Sequence, residues 1–305
     1  MTEERMKKIG ILVLIGLLGG SMLFAALDFT AVDALYDGER YDACKTELLK
    51  MRSLAATAEE ESEVLWRLSR VALGLGDELD KKDKDGRFAA YEEGEEYANL
   101  SIARHPNAFA YHWKASNIGR WGQTKGPLNS LGKAKGMLED LTVVVNDFAI
   151  DHYTETWYVL SSLYYELPGA PLSFGNNDWA ISYMRRAMDT LPEHKLYPGH
   201  YKRMAEELWG RNWNAKKRGK ELAKMQSSWN KGGSNLERYR YYEGKDGGKT
   251  IPFYSSVTLD RMSDRQEAEM ILAYLEAKAK TFTPVLPSEQ RTLNEISELR
   301  ASWLK

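Results

Sequence analysis

The residues most able to do chemistry, the histidines and the cysteine, form no recognisable catalytic or metal-binding pattern. The five histidines are His105, His112, His152, His194 and His200. Zinc sites on helices need ligands about one turn apart, usually near an acid, and no two histidines have that spacing. We therefore interpret them as isolated surface or capping residues. We expect no metal, no cofactor and no catalytic set.

The single cysteine, Cys44, has no histidine close to it in the sequence. A lone cysteine cannot form a disulfide within the chain, so the core must be stabilised by packing alone. No Gly-x-Ser-x-Gly nucleophile elbow is present either. We predict that Cys44 is a small core residue in a helix.

Two segments resemble ligand-binding loops without completing them. The first has calcium-loop residues at four positions: Asp83, Asp85, Gly86 and Glu92. Lys81 stands where the first carboxylate is needed, and a cation there repels the ion. The second, residues 126–133, resembles a phosphate-binding loop but is one residue too long and is followed by Ala134 in place of a hydroxyl. We interpret the first as a solvated charged loop and give the second little weight.

Composition limits the classes of partner. The 305 residues carry 42 Lys and Arg against 44 Asp and Glu, with 43% hydrophobic residues. This is ordinary for a soluble globular protein, and no basic stripe for nucleic acid is visible. Nine Trp and 17 Tyr are the unusual feature, and most of these rings are expected to fill the core. We predict binding roles for those that fit core spacing least well and for the aromatic loop residues: Trp121, Trp179, Phe174, Tyr239, Tyr241 and Tyr242.

Apolar residues recur at helical spacing after Asp28, which predicts an all-α protein. Residues 157–164 have large and small side chains at the positions expected in the first helix of a tetratricopeptide repeat. Ala180, Ala187 and Pro192 fit its second helix if an insertion at 168–174 is allowed. In such a unit a bulky ring fills the groove, small residues let the backbones approach, and proline ends the second helix.

The same pattern predicts about five antiparallel helix pairs, wound as a right-handed superhelix with C-terminal capping helices. The other expected segments are 35–43, 66–72 with 94–106, 110–120 with 131–146, and 201–208 with 214–226. The predicted organisation is a leader at 1–26, repeats at 27–230, a Gly- and Tyr-rich loop at 231–258 and capping helices at 259–305. The capping helices, expected at 264–281 and 288–304, would cover the apolar face that a terminal repeat leaves open.

The first segment has the outline of a signal peptide. Lys7 and Lys8 precede a short apolar run at residues 9–18, and small residues follow this run. The run is shorter than a spanning helix needs, although an uncleaved N-terminal anchor remains the alternative. Either interpretation predicts an exported, periplasmic or envelope-associated protein that touches the membrane only through this segment.

The Trp157 framework, residues 180–192, the insertion at 167–175 and the segment 119–135 together resemble one branch of tetratricopeptide proteins. It includes the T-component lipoproteins of tripartite ATP-independent periplasmic transporters and the repeat domain of the regulator of microtubule dynamics family. The resemblance covers residues 66–226. It implies a helical bundle with an internal channel for a hydrophobic ligand and association with a periplasmic solute-binding protein. Unlike the lipoproteins, this chain has no cysteine just after the apolar run.

Three functions follow as hypotheses. The first is a non-catalytic bacterial scaffold that binds another protein through the concave face of its repeats. The second is a periplasmic transport accessory that binds a hydrophobic small molecule and a solute-binding protein. The third, an enzyme of unrecognised type, would require a cleft with converging ionisable groups.

Overall fold

The computed structural model describes residues 26–303, and this part of the chain is all-helical, with no β-strand. The helices are α1 Thr30–Asp37, α2 Tyr41–Arg52, α3 Ala58–Glu78, α4 Lys84–Arg104, α5 Ala108–Lys125, α6 Leu131–Thr142, α7 Thr154–Glu166, α8 Asn177–Asp189, α9 Pro198–Arg211, α10 Ala215–Lys231, α11 Asn235–Tyr239, α12 Asp264–Thr281 and α13 Pro287–Trp303. A π-helical segment, Val143–Asp147, extends α6. The predicted all-α class is confirmed for these residues.

Helix starts follow from capping side chains. The Thr57 hydroxyl accepts the Glu60 backbone N–H at the start of α3, where acids fill the first turn and favour the positive end of the helix. Asp83 accepts the Gly86 N–H in the same way at the start of α4. Residues 84–104 are therefore helical, and the segment with calcium-loop spacing is a capped helix start.

Most helices pack against their neighbours in the chain, as the repeat pattern predicts. Among consecutive helices, packing is most extensive between α3 and α4, between α4 and α5, and between α7 and α8, and it is less extensive between α2 and α3, α5 and α6, and α1 and α2. The expected fifth pair differs, because α9 packs mainly against α12 and has little contact with α10. Instead, α10 packs against the short 3₁₀ turns Tyr242–Gly244 and Leu259–Arg261.

Small residues allow α4 and α5 to approach closely. A Cβ added to Gly94 would lie 2.2 Å from the side-chain oxygen of Asn117, well inside contact distance. The Asn117 amide donates to the Trp113 carbonyl at 2.9 Å and to the Ser69 hydroxyl at 3.1 Å, so it also links α5 to α3. Ala98 is fully buried on the same helix, as expected for the second helix of a repeat.

A buried set of charged side chains, named here the arginine network, joins distant parts of the chain. Its members are Arg185, Arg211, Arg218, Glu243, Asp264 and Glu267. Arg185 pairs with Glu243 at 2.6 Å, Arg211 with Asp264 at 2.8 Å and Arg218 with Asp264 at 3.1 Å. Because three positive and three negative groups share the site, each buried charge has opposite neighbours. The network holds α12 beside α9, which accounts for the altered fifth pair.

The Gly- and Tyr-rich loop is ordered against the body by this network. Burial alone would raise the pKa of Glu243, but Arg211 and Arg185 hold it at about 2. The Tyr254 hydroxyl accepts a hydrogen bond from Arg185 at 2.8 Å, and this ring is also buried. Loop residues thus contribute to the interior.

The last helix connects the two ends of the stack. The Ser288 N–H at the start of α13 donates to the Glu39 carboxylate between α1 and α2 at 3.3 Å. Further along α13, Glu295 pairs with Lys202 of α9 at 3.2 Å. The stack therefore closes on itself through α13.

The leader prediction rests on residues 1–25, which lie outside the described part of the chain. Within residues 26–303, no helix combines the length and the apolar character needed to cross a bilayer.

Candidate functional site

A central cavity of about 530 Å³ lies inside the closed stack. Its wall is built from the α1–α2 corner, from α3, α5, α7 and the start of α9, and from the C-terminal segment between residues 282 and 292. Pockets of this volume are typical of small-molecule sites. The cavity is bounded by several elements of the described structure and is partly open to solvent, and it is the candidate functional site.

Helices α3, α5 and α7 each present one face to the cavity. On α5, Trp113 and Arg120 are seven residues apart and so lie on the same face two turns from each other. On α7, Glu155 and Tyr158 are three residues apart and also share a face. Repetition of the helix pair therefore converges these side chains on one interior space.

Aromatic rings form much of the cavity wall. They are Tyr36, Tyr41, Trp113, Tyr158, Tyr197 and Phe282. The Tyr36 ring centroid lies 5.4 Å from that of Tyr41 and 6.3 Å from that of Trp113. In a second group of rings, Tyr158 stacks on His200 at 4.6 Å. The two groups of rings give the cavity wall both apolar surface, from the ring faces, and polar atoms, from the ring edges.

The wall is also charged, with six carboxylates and three basic groups, a net −3 if histidines are counted as neutral. The acids are Asp37, Glu39, Asp77, Glu78, Glu155 and Glu289, and the bases are Arg120, Lys195 and Arg291. Arg120 pairs with Asp77 at 2.9 Å, and Lys195 pairs with Asp37 at 2.7 Å. Glu155 has no ion-pair partner among the described residues.

Two buried polar atoms beside the cavity have no hydrogen-bond partner in the described structure. They are Nε2 of His200, whose side chain belongs to a residue 3% exposed, and Nε1 of Trp113, 6% exposed. Burial lowers the pKa of His200 to about 3, so its ring is neutral near pH 7. An unpaired buried polar group costs free energy.

The expectation of surface or capping histidines is wrong for two of the five. His112 and His200 are buried, whereas His105, His152 and His194 are exposed. Both buried rings pack among aromatic residues: His112 lies edge-on to Trp113, and His200 stacks on Tyr158. Their aromatic neighbours in the sequence, Tyr111 and Tyr201, were a clue to their burial.

A second, smaller cavity of about 130 Å³ lies between α5, α6 and α7. It shares Leu73, Arg120, Glu155 and Tyr158 with the central cavity, so these side chains separate the two spaces. The Ser162 hydroxyl at this smaller cavity is buried without a hydrogen-bond partner among the described residues.

The six residues predicted from the sequence lie elsewhere. Phe174 and Trp179 both contact Tyr164, at centroid distances of 5.5 Å, and Tyr241 lies 6.4 Å from Trp179. The structure thus brings the insertion and the tyrosine-rich loop together. None of the six lines the central cavity.

The remaining predicted residues have structural partners. Tyr239 and Tyr242 pack on Trp229, at 5.2 Å and 5.7 Å. Trp121 donates to Glu92 at 3.0 Å and lies 4.9 Å below the Lys133 ammonium. Their binding role stays a prediction.

Sequence reasoning missed the cavity residues because they belong to several different repeats. Glu155 stands two positions before Trp157, which carries the repeat framework, and was not distinguished from other helix-start acids.

Comparisons with protein-family models and with curated proteins found no match to this chain.

Proposed function

We propose that this protein is a non-catalytic, exported tetratricopeptide-type repeat protein that binds a small organic molecule in its central cavity. The observation that carries the proposal is the enclosure of the concave side by residues 282–292 and α13. An open repeat solenoid offers its concave surface to an extended partner. A concave side covered by the same chain suits a small ligand better.

The contacts that cover the cavity support this preference. Ser288 binds Glu39 through its backbone N–H, and the Lys278 ammonium donates to the Lys195 carbonyl at 3.3 Å. Lys195 in turn pairs with Asp37. These links lie at the edge of the cavity, where they would obstruct an extended peptide more than a small molecule.

On this proposal the helix pairs form a right-handed superhelix, and the protein acts as a transport accessory in the bacterial envelope that presents its ligand to another protein. The mixed wall of aromatic and ionisable groups suits a ligand with both apolar and polar parts. This differs from the purely hydrophobic ligand that the family resemblance implies.

Filling the cavity tests the proposal. Leu73 lines both cavities, and Leu73→Trp is expected to occupy part of the ligand space. Native mass spectrometry of purified wild-type protein should show a bound small molecule, and the variant should lose it. Leu54→Trp is the matched control, because Leu54 is 68% exposed and lies outside the cavity wall. Circular dichroism would check that both variants are folded.

Two results together would contradict the proposal. Wild-type protein would carry no bound small molecule, and Leu73→Trp would not reduce the binding of any ligand in screens. The scaffold hypothesis predicts another result. A pulldown from envelope extracts would then recover a saturable protein partner, and Leu73→Trp would leave its binding unchanged.

A further inference from the structure

The central cavity has an excess of negative charge that its own basic groups do not balance. Two of the three bases are already paired, Arg120 with Asp77 and Lys195 with Asp37. The third, Arg291, makes no ion pair within 4 Å in the described structure, although its charge acts on Glu78. Glu39, Glu155 and Glu289 also lack ion-pair partners among the described residues. The potential inside the cavity therefore favours a positive ligand.

Glu155 lies among the aromatic rings of the wall. Its carboxylate interacts with Tyr197, and its charge acts on Tyr36 and Tyr153. Burial raises the pKa of Glu155, and the interactions with Tyr197, Lys195 and Arg120 only partly offset this. A cation beside Glu155 would stabilise its ionised form.

The rings are suited to the same kind of ligand. The faces of Tyr and Trp rings attract cations within about 6 Å, and cages of such rings recognise quaternary ammonium groups. The protein already uses this contact next to the cavity, where the Arg70 guanidinium lies 3.8 Å from the Tyr36 ring centroid. Tyr158, Tyr197 and Trp113 present further ring surface to the cavity.

His200 and Trp113 also line the cavity, and burial keeps the His200 ring neutral, so neither side chain adds positive charge to the wall. We propose that the central cavity binds an organic cation, an amine or quaternary ammonium compound, beside Glu155 and against the aromatic rings of its wall. This inference rests on the proposed function and gives its ligand class.

The first experiment compares probes that differ in charge but little in shape. The cations are choline and benzyltrimethylammonium, and isothermal titration calorimetry measures their binding to the purified protein. The neutral probe is 3,3-dimethyl-1-butanol, in which carbon replaces the choline nitrogen, and the anion is 3,3-dimethylbutyrate. Choline should bind about tenfold or more tightly than the neutral and anionic probes, which match it in shape, and benzyltrimethylammonium tests whether a larger cation also binds.

The second experiment removes the charge and then the ring. Glu155→Gln and, separately, Tyr158→Leu should each weaken cation binding about tenfold while leaving the affinity for the neutral probe nearly unchanged. Glu298→Gln is the matched control, because Glu298 is exposed on α13 and does not line the cavity. If Glu155→Gln fails to fold, Tyr158→Leu still tests the inference.

The outcomes separate the two proposals. Equal or stronger binding of the neutral probe or the anion, lost in Leu73→Trp, would overturn the cation class and leave the cavity as a ligand site. Failure of both cations to bind would also overturn it. A co-purifying ligand with a positive charge in native mass spectrometry would support it, whereas no bound molecule and no probe binding would contradict the proposed function itself.

Discussion

At the scale of single residues, three buried ionisable groups are held in their neutral forms. His112 and His200 are 1% and 3% exposed, and burial lowers the pKa of each to about 3. Burial has the opposite effect on Glu207, where it raises the pKa to about 8 although Arg203 and Ser161 act against it. These groups make the free energy of unfolding depend on pH in opposite directions.

The two histidines should destabilise the fold in mild acid. An unfolded histidine takes up a proton near pH 6.5, whereas the folded groups do so only near pH 3. Stability is therefore lost as pH falls below 6.5, by about 2 kcal/mol per histidine at pH 5. In His200→Gln, the decrease in the free energy of unfolding between pH 7 and pH 5 should be smaller by about this amount, measured by urea denaturation.

Two comparisons make this prediction specific. His105→Gln should leave the pH dependence unchanged, because His105 is exposed. Glu207 contributes stability at low pH that is lost as pH rises from about 4.5 to about 8. The wild type and the His200→Gln variant both contain Glu207, so its contribution cancels when their free energies of unfolding are subtracted. An unchanged slope in His200→Gln would show that His200 is not held neutral.

At the scale of helices, close approach depends on glycine where two helices cross. Gly94 of α4 faces the buried Asn117 side chain of α5, which hydrogen-bonds to α3 and within α5. No such restriction applies at Gly136 of α6, where an added Cβ would have nothing within 4 Å. There is therefore no room for a Cβ atom at Gly94, whereas there is room for one at Gly136.

Substitution of each glycine by alanine should have opposite effects. Gly94→Ala must displace Asn117 and should cost about 1–3 kcal/mol of stability. Gly136→Ala should stabilise the protein by roughly 0.5–1 kcal/mol, because alanine loses less backbone entropy in a helix. Thermal or urea unfolding measures both. If both variants were stabilised, the close contact between α4 and α5 would be excluded.

At the scale of the whole molecule, the arginine network and α13 connect segments that are far apart in the chain. Arg218 of α10 is fully buried and contacts acids of α12. Arg185 of α8 reaches Glu243 of the loop. Arg185 also pairs with Glu267, so these ion pairs attach α12 to α8 and α10, and their loss would remove part of the support of the C-terminal segment that lines the cavity.

Breaking this network should destabilise the whole fold. Arg218→Met leaves Asp264 and Glu267 short of a partner, and removing one member of a buried ion pair costs about 3–5 kcal/mol. Urea denaturation should show this loss. Lys224→Met is the surface control, since Lys224 pairs with Glu221 in an exposed position and should change stability by less than about 1 kcal/mol.

A second variant distinguishes charge from packing. Adding Glu267→Gln to Arg218→Met balances two arginines with two acids, so it should recover part of the lost stability. If the double variant is less stable than the single one, the cost arises from lost packing and hydrogen bonds, and charge balance is not the main effect.

The sequence by itself determined much of the helical framework. Periodicity and capping residues predicted the second helix beginning at residue 131, the insertion after α7 and the last two helices, and the structure has them at closely similar positions. The burial of Cys44 was also predicted correctly. These features depend on contacts within one helix or between neighbouring helices, so short stretches of sequence contain their cause.

Only the tertiary structure decided where the cavity lies and what covers it. Glu39 meets Ser288 across 249 positions, and α9 packs on α12 because buried arginines and acids from separate segments pair there. Glu155, Tyr36 and His200 look ordinary in their own segments and line one candidate site only when helices from three parts of the chain pack together. Local periodicity specifies which face of a helix is apolar. Pairing between distant segments depends instead on the packing and charge interactions of all segments together.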